Sequence, residues 1–167
     1  AGRGGLRPMA GFAALGMRGR VGGPVDTAGL PELPRKLRRF FAPPGLYAWH
    51  AANEAFAQAG LTPEHLRADS CGLVLGGGAA LSEHEAGLAS HRAKGIARLS
   101  PFWVPRGMSC APSASLAHAF GIGGISLTIS SACTSASHAI GQAMELIQLG
   151  RQRMVITGGT EELHDST

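Results

Sequence analysis

The chain has 167 residues, of which 44% are hydrophobic and 16% are charged, a composition that supports a buried core and argues against intrinsic disorder. No apolar run is long enough to cross a bilayer and no signal peptide is evident, so we expect neither a membrane span nor secretion. The net charge of +4 is accompanied by no nucleic-acid-binding motif, which argues against a nucleic acid partner.

The first part of the chain predicts loops followed by two helices. Residues 1–33 are rich in Gly and Pro, so we expect loop with short extended pieces there. Apolar residues at helical spacing predict a helix over residues 45–59, and Gly60 is well placed to cap it. Thr62 followed by Pro63 has the pattern of an N-cap and a first helical position, which predicts a short second helix.

The middle of the chain predicts a buried strand and a long helix. Residues 71–75 are apolar and are followed by three glycines, as expected for a buried strand that enters a loop. These glycines lack the spacing of a phosphate-binding loop, so we interpret them as a turn. Residues 79–101 are polar and predict a partly helical segment. Residues 105–120 predict a single helix in spite of Pro112.

Cys133 lies where a strand turns abruptly into a helix. Apolar residues alternate with Ser and Thr over residues 124–130, which is the period of a half-buried strand. After Cys133, apolar residues recur at helical spacing up to a helix end at Gly150. The apolar positions of this helix are Ile140, Met144 and Ile147. A helix N-terminus favours negative charge and the neighbours of Cys133 are small, so the junction predicts a nucleophile elbow that carries a thiol.

A second interpretation of Cys133 stays open at this point, because a lone cysteine at such a junction can be a small buried hydrophobe. His138 follows five residues later and should point away from the thiol around the helix. We therefore interpret His138 as a core or helix-packing residue and not as a partner of Cys133.

The remaining patterns concern fold class, redox setting and metals. Residues 154–157 predict another buried strand, and strands that alternate with helices indicate an α/β layered fold. Three cysteines cannot all pair and none forms a CxxC motif, which favours a reduced, cytoplasmic setting. Seven histidines are scattered without metal-ligand spacing, so we expect no metal and no cofactor.

Several motifs, in a fixed order, resemble the β-ketoacyl-[acyl-carrier-protein] synthase family, and within it the elongating synthase I type. The similarity covers essentially the whole chain. The motifs are residues 16–18, Arg35 with Lys36, Arg39 with Phe40, residues 57–64, residues 130–133 with His138 and residues 140–141, residues 148–150, and residues 158–163.

The resemblance implies a thiolase-like layered α/β fold, of which residues 1–167 are a partial N-terminal domain that lacks the first strand and helix and the second half. It implies that Cys133 accepts an acyl group and that a malonyl group then condenses with it by decarboxylative Claisen chemistry. In the family, the two histidines and the lysine that assist this reaction belong to the second half. We therefore expect residues 1–167 alone to be inactive.

The resemblance also implies partners. Lys36 and Arg39 match positions where the family contacts its acidic acyl carrier protein, although their basic cluster could also be a solvated face. The strand at residues 124–130 implies a homodimer, in which Met108 lies at the interface and contributes to the partner's acyl pocket.

Two other functions are consistent with the sequence. One is a non-catalytic, ketosynthase-like module that binds a carrier protein or another partner. The other, weaker one is a cysteine hydrolase, for which no histidine or carboxylate is placed as an evident partner of the thiol.

Overall fold

The computed structural model describes residues 4–165, so the predictions for residues 1–3 and 166–167 lie outside the described residues. The chain begins with strand β1 (Arg7–Pro8), helix α1 (Ala10–Ala14) and strand β2 (Val21–Gly22), and the two strands pair antiparallel. The short extended pieces expected over residues 1–33 are confirmed, whereas the one-turn helix between them was not predicted.

The two helices predicted next are confirmed. A 3₁₀ turn (Arg38–Phe40) precedes α2 (Pro43–Ala59), which starts two residues earlier than predicted because prolines fit the first helical turn. Gly60 ends α2 at φ = +63°, in the left-handed conformation that glycine adopts readily. Helix α3 (Pro63–Arg67) follows, and the backbone N–H of its N-cap residue, Thr62, donates to Nδ1 of His65 at 3.1 Å.

A parallel three-stranded sheet forms the centre of the molecule. Its strands are β3 (Cys71–Gly77), β4 (Ser126–Ile129) and β5 (Met154–Thr160), in the order β4-β3-β5. Strand β3 is central and buried along its whole length. The sheet brings the last residues of β3 and β5 side by side, with Gly76 opposite Gly159.

Helices cover both faces of this sheet, as in α/β layered folds. Leu73 and Leu75 point to one face and belong to the larger core cluster, which includes residues of α2 and of α6 (Ala111–Phe120). Val74 points to the opposite face and packs against Ala139 of helix α7 (Ser135–Gln148). This alternation explains why the central strand is apolar at every position that it presents to a helix.

Between β3 and β4, the partly helical segment predicted over residues 79–101 is confirmed, whereas the prediction for residues 105–120 is not. Residues 79–101 contain a full helix, α4 (Leu81–Lys94), and a 3₁₀ turn (Ile96–Arg98). The single helix predicted over residues 105–120 is wrong, because α5 (Trp103–Gly107) and α6 (Ala111–Phe120) are separate. Pro112 lies in the first turn of α6, where its missing N–H costs no hydrogen bond, so it begins a helix rather than interrupting one.

Helix α7 presents two alanines and a leucine to the sheet. Ala139, Ala143 and Leu146 are buried against it. The three larger residues that the periodicity singled out are instead about half exposed: Ile140, Met144 and Ile147. Small buried residues let the helix axis approach the sheet closely, which explains the choice of face.

Candidate active site

Cys133 lies in the connection between β4 and α7, residues 130–134, immediately before Thr134, the N-cap of the helix. The residue is exposed, and it lines a cavity of about 580 Å³. The strand–cysteine–helix junction predicted from the sequence is therefore confirmed, and the alternative of a buried, hydrophobe-like cysteine is not.

The backbone next to Cys133 has an unusual conformation that neighbouring groups hold in place. Ala132 has φ = +52°, the single positive φ among the non-glycine residues of 4–165. The buried Ser135 hydroxyl donates to the Ala132 carbonyl at 2.6 Å and accepts from the Ser131 N–H at 2.8 Å. Such backbone strain persists only where the surroundings over-determine it, and it is frequent at active sites.

Two glycines let the first turn of α7 sit directly on the sheet. A Cβ atom on Gly76 would overlap the backbone carbonyl of Ser135, and one on Gly159 would lie 2.5 Å from Cβ of Ala136. All four residues line the same cavity as Cys133. The ends of β3 and β5 and the start of α7 therefore form its floor and walls.

Two glutamates that follow β5 also line this cavity, although no sequence pattern predicted a role for them. Glu162 accepts hydrogen bonds from the Ser82 N–H at 2.9 Å and from the Ser82 hydroxyl at 2.6 Å. Ser82 lies in the first turn of α4, where unpaired N–H groups favour a carboxylate. The sequence signal was a pair of glutamates, Glu161 and Glu162, shortly after a predicted strand and two glycines, but no spacing in the sequence connects this pair to Ser82.

The prediction that His138 is a core or helix-packing residue is wrong. Its side chain is exposed, and Nδ1 lies 2.7 Å from Oγ of Ser131. His138 does not line the cavity around Cys133, which agrees with the expectation that it points away from the thiol. His138 is the fourth residue of α7, and it still reaches Ser131 in the preceding loop because that loop lies beside the first turn of the helix.

The other two cysteines are in different surroundings. Cys71 is buried in β3, and burial raises the pKa of its thiol because a thiolate is poorly solvated there. Cys110 is partly buried and lies just before α6. Of the three thiols, Cys133 is the one exposed to a cavity.

Lys36 and Arg39 lie on the surface, and neither lines the cavity around Cys133. Together with Arg35 they border a shallow depression. The Arg39 guanidinium stacks over the rings of Phe40 and Phe102, 5.0 and 5.6 Å from their centroids. One of the two predicted carrier-binding side chains therefore rests against aromatic rings.

Met108 follows α5 and is about half exposed, and it does not line the Cys133 cavity of its own chain. Strand β4 is an edge of the three-stranded sheet, and Leu127 on it is 43% exposed. The free edge and these apolar side chains are the features that the predicted dimer interface would use.

Two features are absent from the part of the chain that the structure describes. Over residues 4–165, no cluster of His, Cys, Asp or Glu could hold a metal ion. In the same part of the chain, no helix is long and apolar enough to cross a membrane.

Sequence comparisons identify relatives of the chain. The profile of the family described as "Beta-ketoacyl synthase, N-terminal domain" matches residues 25–166. The chain is 36% identical over 165 residues to a 3-oxoacyl-[acyl-carrier-protein] synthase 1 of Haemophilus influenzae, which covers 98% of the chain. It is 40% identical over 153 residues to the enzyme of that name from Escherichia coli, which covers 89% of the chain. The chain spans only 41% and 37% of these relatives.

Structural comparisons agree with this result. A crystal structure of a beta-ketoacyl synthase from Burkholderia phymatum matches 98% of the chain with a TM-score of 0.84 and 27% identity, over 41% of that protein. A type II ketosynthase in complex with its acyl-carrier protein matches 84% of the chain with a TM-score of 0.75 and 22% identity, over 40% of that protein. These matches confirm the thiolase-like α/β fold that the resemblance implied.

Proposed function

Because the chain belongs to the β-ketoacyl synthase family, we propose that the protein condenses an acyl group with a malonyl group, both carried as thioesters, in fatty acid synthesis. Residues 1–167 form part of the N-terminal domain of this enzyme. The observation that carries the proposal is the exposed thiol of Cys133, held at a strained elbow above a cavity.

The reaction uses Cys133 twice. First, its sulfur attacks the carbonyl carbon of the acyl thioester, the bond to the carrier sulfur breaks, and the thiol proton ends on the departing carrier. Next, the malonyl group loses CO₂, and the electron pair of that bond forms an enolate. The enolate carbon attacks the acyl-enzyme, a carbon–carbon bond forms, and the Cys133 sulfur leaves and regains a proton.

The backbone N–H of Cys133 is proposed as one donor to the oxyanion that forms in each attack. The Ser135 hydroxyl bonds hold the backbone on either side of Ala132, so they fix the direction of the following peptide group. A hydrogen-bond donor whose orientation is fixed before the reaction does not have to reorient when the oxyanion forms.

The direct test is to assay the full-length protein with acyl- and malonyl-carrier proteins, measuring released CO₂ and the 3-oxoacyl product. We expect both to appear in equal amounts. A protein that binds the carrier but yields neither product would contradict the proposal and favour the non-catalytic module.

We further propose that Lys36 and Arg39 dock an acyl carrier protein. Both side chains are exposed, and the stacking of Arg39 on Phe40 and Phe102 presents its charge in one place. A related ketosynthase has been determined in complex with its acyl-carrier protein. Acyl carrier proteins are acidic, so a basic surface attracts them.

Charge reversal at both positions tests this docking site. We expect Lys36→Glu together with Arg39→Glu to weaken carrier binding about tenfold at low salt, and less at high salt, where charges are screened. Binding is measured by titration calorimetry at two salt concentrations.

The matched control is the double variant Arg151→Glu with Arg153→Glu, which changes the net charge equally at two exposed residues away from the depression. It should bind the carrier nearly as well as the unchanged protein. Equal loss of affinity in the two double variants would show a general charge effect and would contradict a docking role for Lys36 and Arg39.

We also propose that the protein is a homodimer joined through the free edge of β4, with Met108 contributing to the acyl pocket of the partner. The unpaired edge and the exposed Leu127 support this arrangement, because an exposed strand edge pairs readily with another strand.

A single lysine on β4 tests the dimer. We expect Leu127→Lys to give a monomer by analytical ultracentrifugation, because two copies of the new charge would face one interface. Leu88→Lys is the control, since Leu88 on α4 is exposed to a similar degree, 45% against 43%. A dimer that survives Leu127→Lys, or an unchanged protein that is monomeric, would exclude this interface.

A cytoplasmic location is also part of the proposal. It is supported by three free cysteines, because thiols persist in reducing compartments and tend to be oxidised outside them.

A further inference from the structure

Side chains from the start of α7 hold every polar group of Ser131, the residue two positions before the thiol. The N–H of Ser131 donates to Oγ of Ser135 at 2.8 Å, and its carbonyl accepts from Oγ1 of Thr134 at 2.7 Å. Its hydroxyl oxygen lies 2.7 Å from Nδ1 of His138, within hydrogen-bond distance. Ser131 therefore cannot turn or shift without breaking bonds to the helix.

The same contacts fix the backbone on both sides of Ala132, whose φ of +52° is rare for an alanine. The oxygen of the preceding peptide group is the Ser131 carbonyl, which Thr134 holds. The oxygen of the following peptide group is the Ala132 carbonyl, which accepts from the Ser135 hydroxyl at 2.6 Å and from the Ser135 N–H at 3.0 Å. Because a peptide group is planar, holding both oxygens fixes the two backbone torsion angles of Ala132.

The second of these peptide groups also carries the N–H of Cys133. In a trans peptide group the carbonyl and the N–H point in opposite directions, and the bond between Ala132 and Cys133 is trans. The Ala132 carbonyl points to the first turn of α7, so the Cys133 N–H points away from that turn. An oxyanion donor is effective only when it is aimed at the oxygen on which the charge develops, so this direction matters for the reaction.

The arrangement is local in the sequence. All of these hydrogen bonds join residues within 131–138, so no other segment has to supply a donor or an acceptor. Thr134 and His138 are exposed, and the fold should tolerate their replacement. Ser135 is buried, so its loss would also leave the Ser131 N–H without its partner.

We propose that Thr134, Ser135 and His138 are positioning residues for Cys133, which act through the backbone of residues 131–132 to keep the Cys133 N–H aimed at the oxyanion. The inference rests on the proposed function, in which the Cys133 sulfur attacks a carbonyl carbon. The three side chains take no part in bond formation or proton transfer. His138 thus serves the site without being a partner of the thiol.

This role distinguishes two reactions of the same sulfur. With p-nitrophenyl acetate, the Cys133 thiolate attacks the carbonyl carbon, negative charge develops on the carbonyl oxygen, and p-nitrophenolate leaves. With iodoacetamide, the thiolate displaces iodide from a saturated carbon, and no oxyanion forms. In both reactions the thiol proton goes to solvent. Loss of positioning should slow the first reaction and spare the second, whereas a change in the exposure or protonation of the thiol alters both.

The test measures both rates at Cys133 of the full-length protein by peptide mass spectrometry and takes the ratio of acetylation to alkylation. We expect the ratio to fall about tenfold in Ser135→Ala and about threefold in Thr134→Val and in His138→Ala, less than the hundredfold or so that follows removal of a whole oxyanion donor. The iodoacetamide rate should stay within about twofold of that of the unchanged protein, because the thiol keeps its exposure and its place before the helix.

Conservative variants and a matched control exclude a purely structural effect. Ser135→Thr keeps the hydroxyl, and His138→Asn keeps a polar atom near the place of Nδ1, so both should retain most of the ratio. Ser137→Ala is the control, since Ser137 is exposed on the same turn of α7 and is not one of the side chains that hold Ser131. If Ser135→Ala fails to fold in a thermal melt, the variants at the exposed Thr134 and His138 decide.

The outcomes separate this inference from the proposed function. A ratio that stays the same in the three variants overturns the inference, even if the protein condenses acyl and malonyl groups. An equal fall of both rates also overturns it, because the thiol itself has then changed. A ratio that falls as expected supports the inference, even if no acyl-carrier substrate loads Cys133, in which case the proposed function fails alone. A Cys133 that reacts with neither reagent overturns the inference.

Discussion

Replacing Cys133 by alanine is expected to abolish formation of the acyl-enzyme. The thiol is the atom to which the acyl group is transferred, and no other cysteine of residues 4–165 opens into the cavity. Because Cys133 is exposed, its removal should change the free energy of unfolding by no more than about 0.5 kcal/mol. The fold and the carrier-binding surface should therefore persist while condensation stops.

Intact-protein mass spectrometry after incubation with an acyl-carrier protein measures this directly. The unchanged protein should gain the mass of one acyl group, and Cys133→Ala should gain none. Cys110→Ala is the control and should be acylated normally. A thiol-directed inhibitor should also label Cys133 faster than Cys71 or Cys110, because of its exposure and its position before a helix N-terminus. Normal acylation of Cys133→Ala would remove the residue from the mechanism.

The second large effect is expected at the glycines under helix α7. Gly76→Ala should destabilise the protein by about 3 kcal/mol, because the new methyl group overlaps the backbone of Ser135 and backbone cannot rotate away as a side chain can. Either the helix must lift from β3 or the strand must bend, and both disturb the floor of the cavity. Urea unfolding of the purified variant measures the loss.

A rescue experiment distinguishes a local steric clash from general misfolding. Gly159→Ala places its methyl group 2.5 Å from Cβ of Ala136, so Ala136→Gly should recover part of the stability that Gly159→Ala loses. Gly141→Ala, on the same helix, is the opposite control. Apart from its chain neighbours and the nearby backbone of its own helix, no atom lies within 4 Å of its new Cβ, so the protein should gain roughly 1 kcal/mol from better helix propensity. Losses of equal size at Gly76 and Gly141 would exclude a steric cause.

The junction at Cys133 could be predicted because its evidence is local. A change of apolar period from two to 3.6 within a few residues requires a strand, a turn and a helix in that order, whatever packs around them. The strand, Ser126–Ile129, proved shorter than residues 124–130, although the Gly124 N–H still donates to the Cys71 carbonyl of β3 at 2.9 Å. The helix began two residues after Cys133, as a cap followed by a first turn would require.

Other features depend on contacts that sequence spacing does not contain. Periodicity showed that Ile140, Met144 and Ile147 lie on one side of α7. In the structure the helix packs closely on the sheet with a different side, the one that carries Ala139 and Ala143. From sequence alone, Pro112 could either begin a helix or interrupt one. In the structure it lies in the first turn of α6, and the separate helix α5 packs against α4. The contact between Glu162 and Ser82 forms only when β5 and α4 are brought together by the sheet.

The burial of Cys71 makes this residue an internal reporter of cooperative opening. It lies in the central strand, and its thiol is kept protonated by its surroundings, so a disulfide reagent in solution reacts with it only when β3 separates from its neighbours. In a variant that lacks the other two thiols, the rate of this reaction at saturating reagent would equal the opening rate of the sheet. At low reagent, the rate would give the opening equilibrium. The stability of the sheet beneath the elbow can thus be followed under native conditions, without denaturant or an added label.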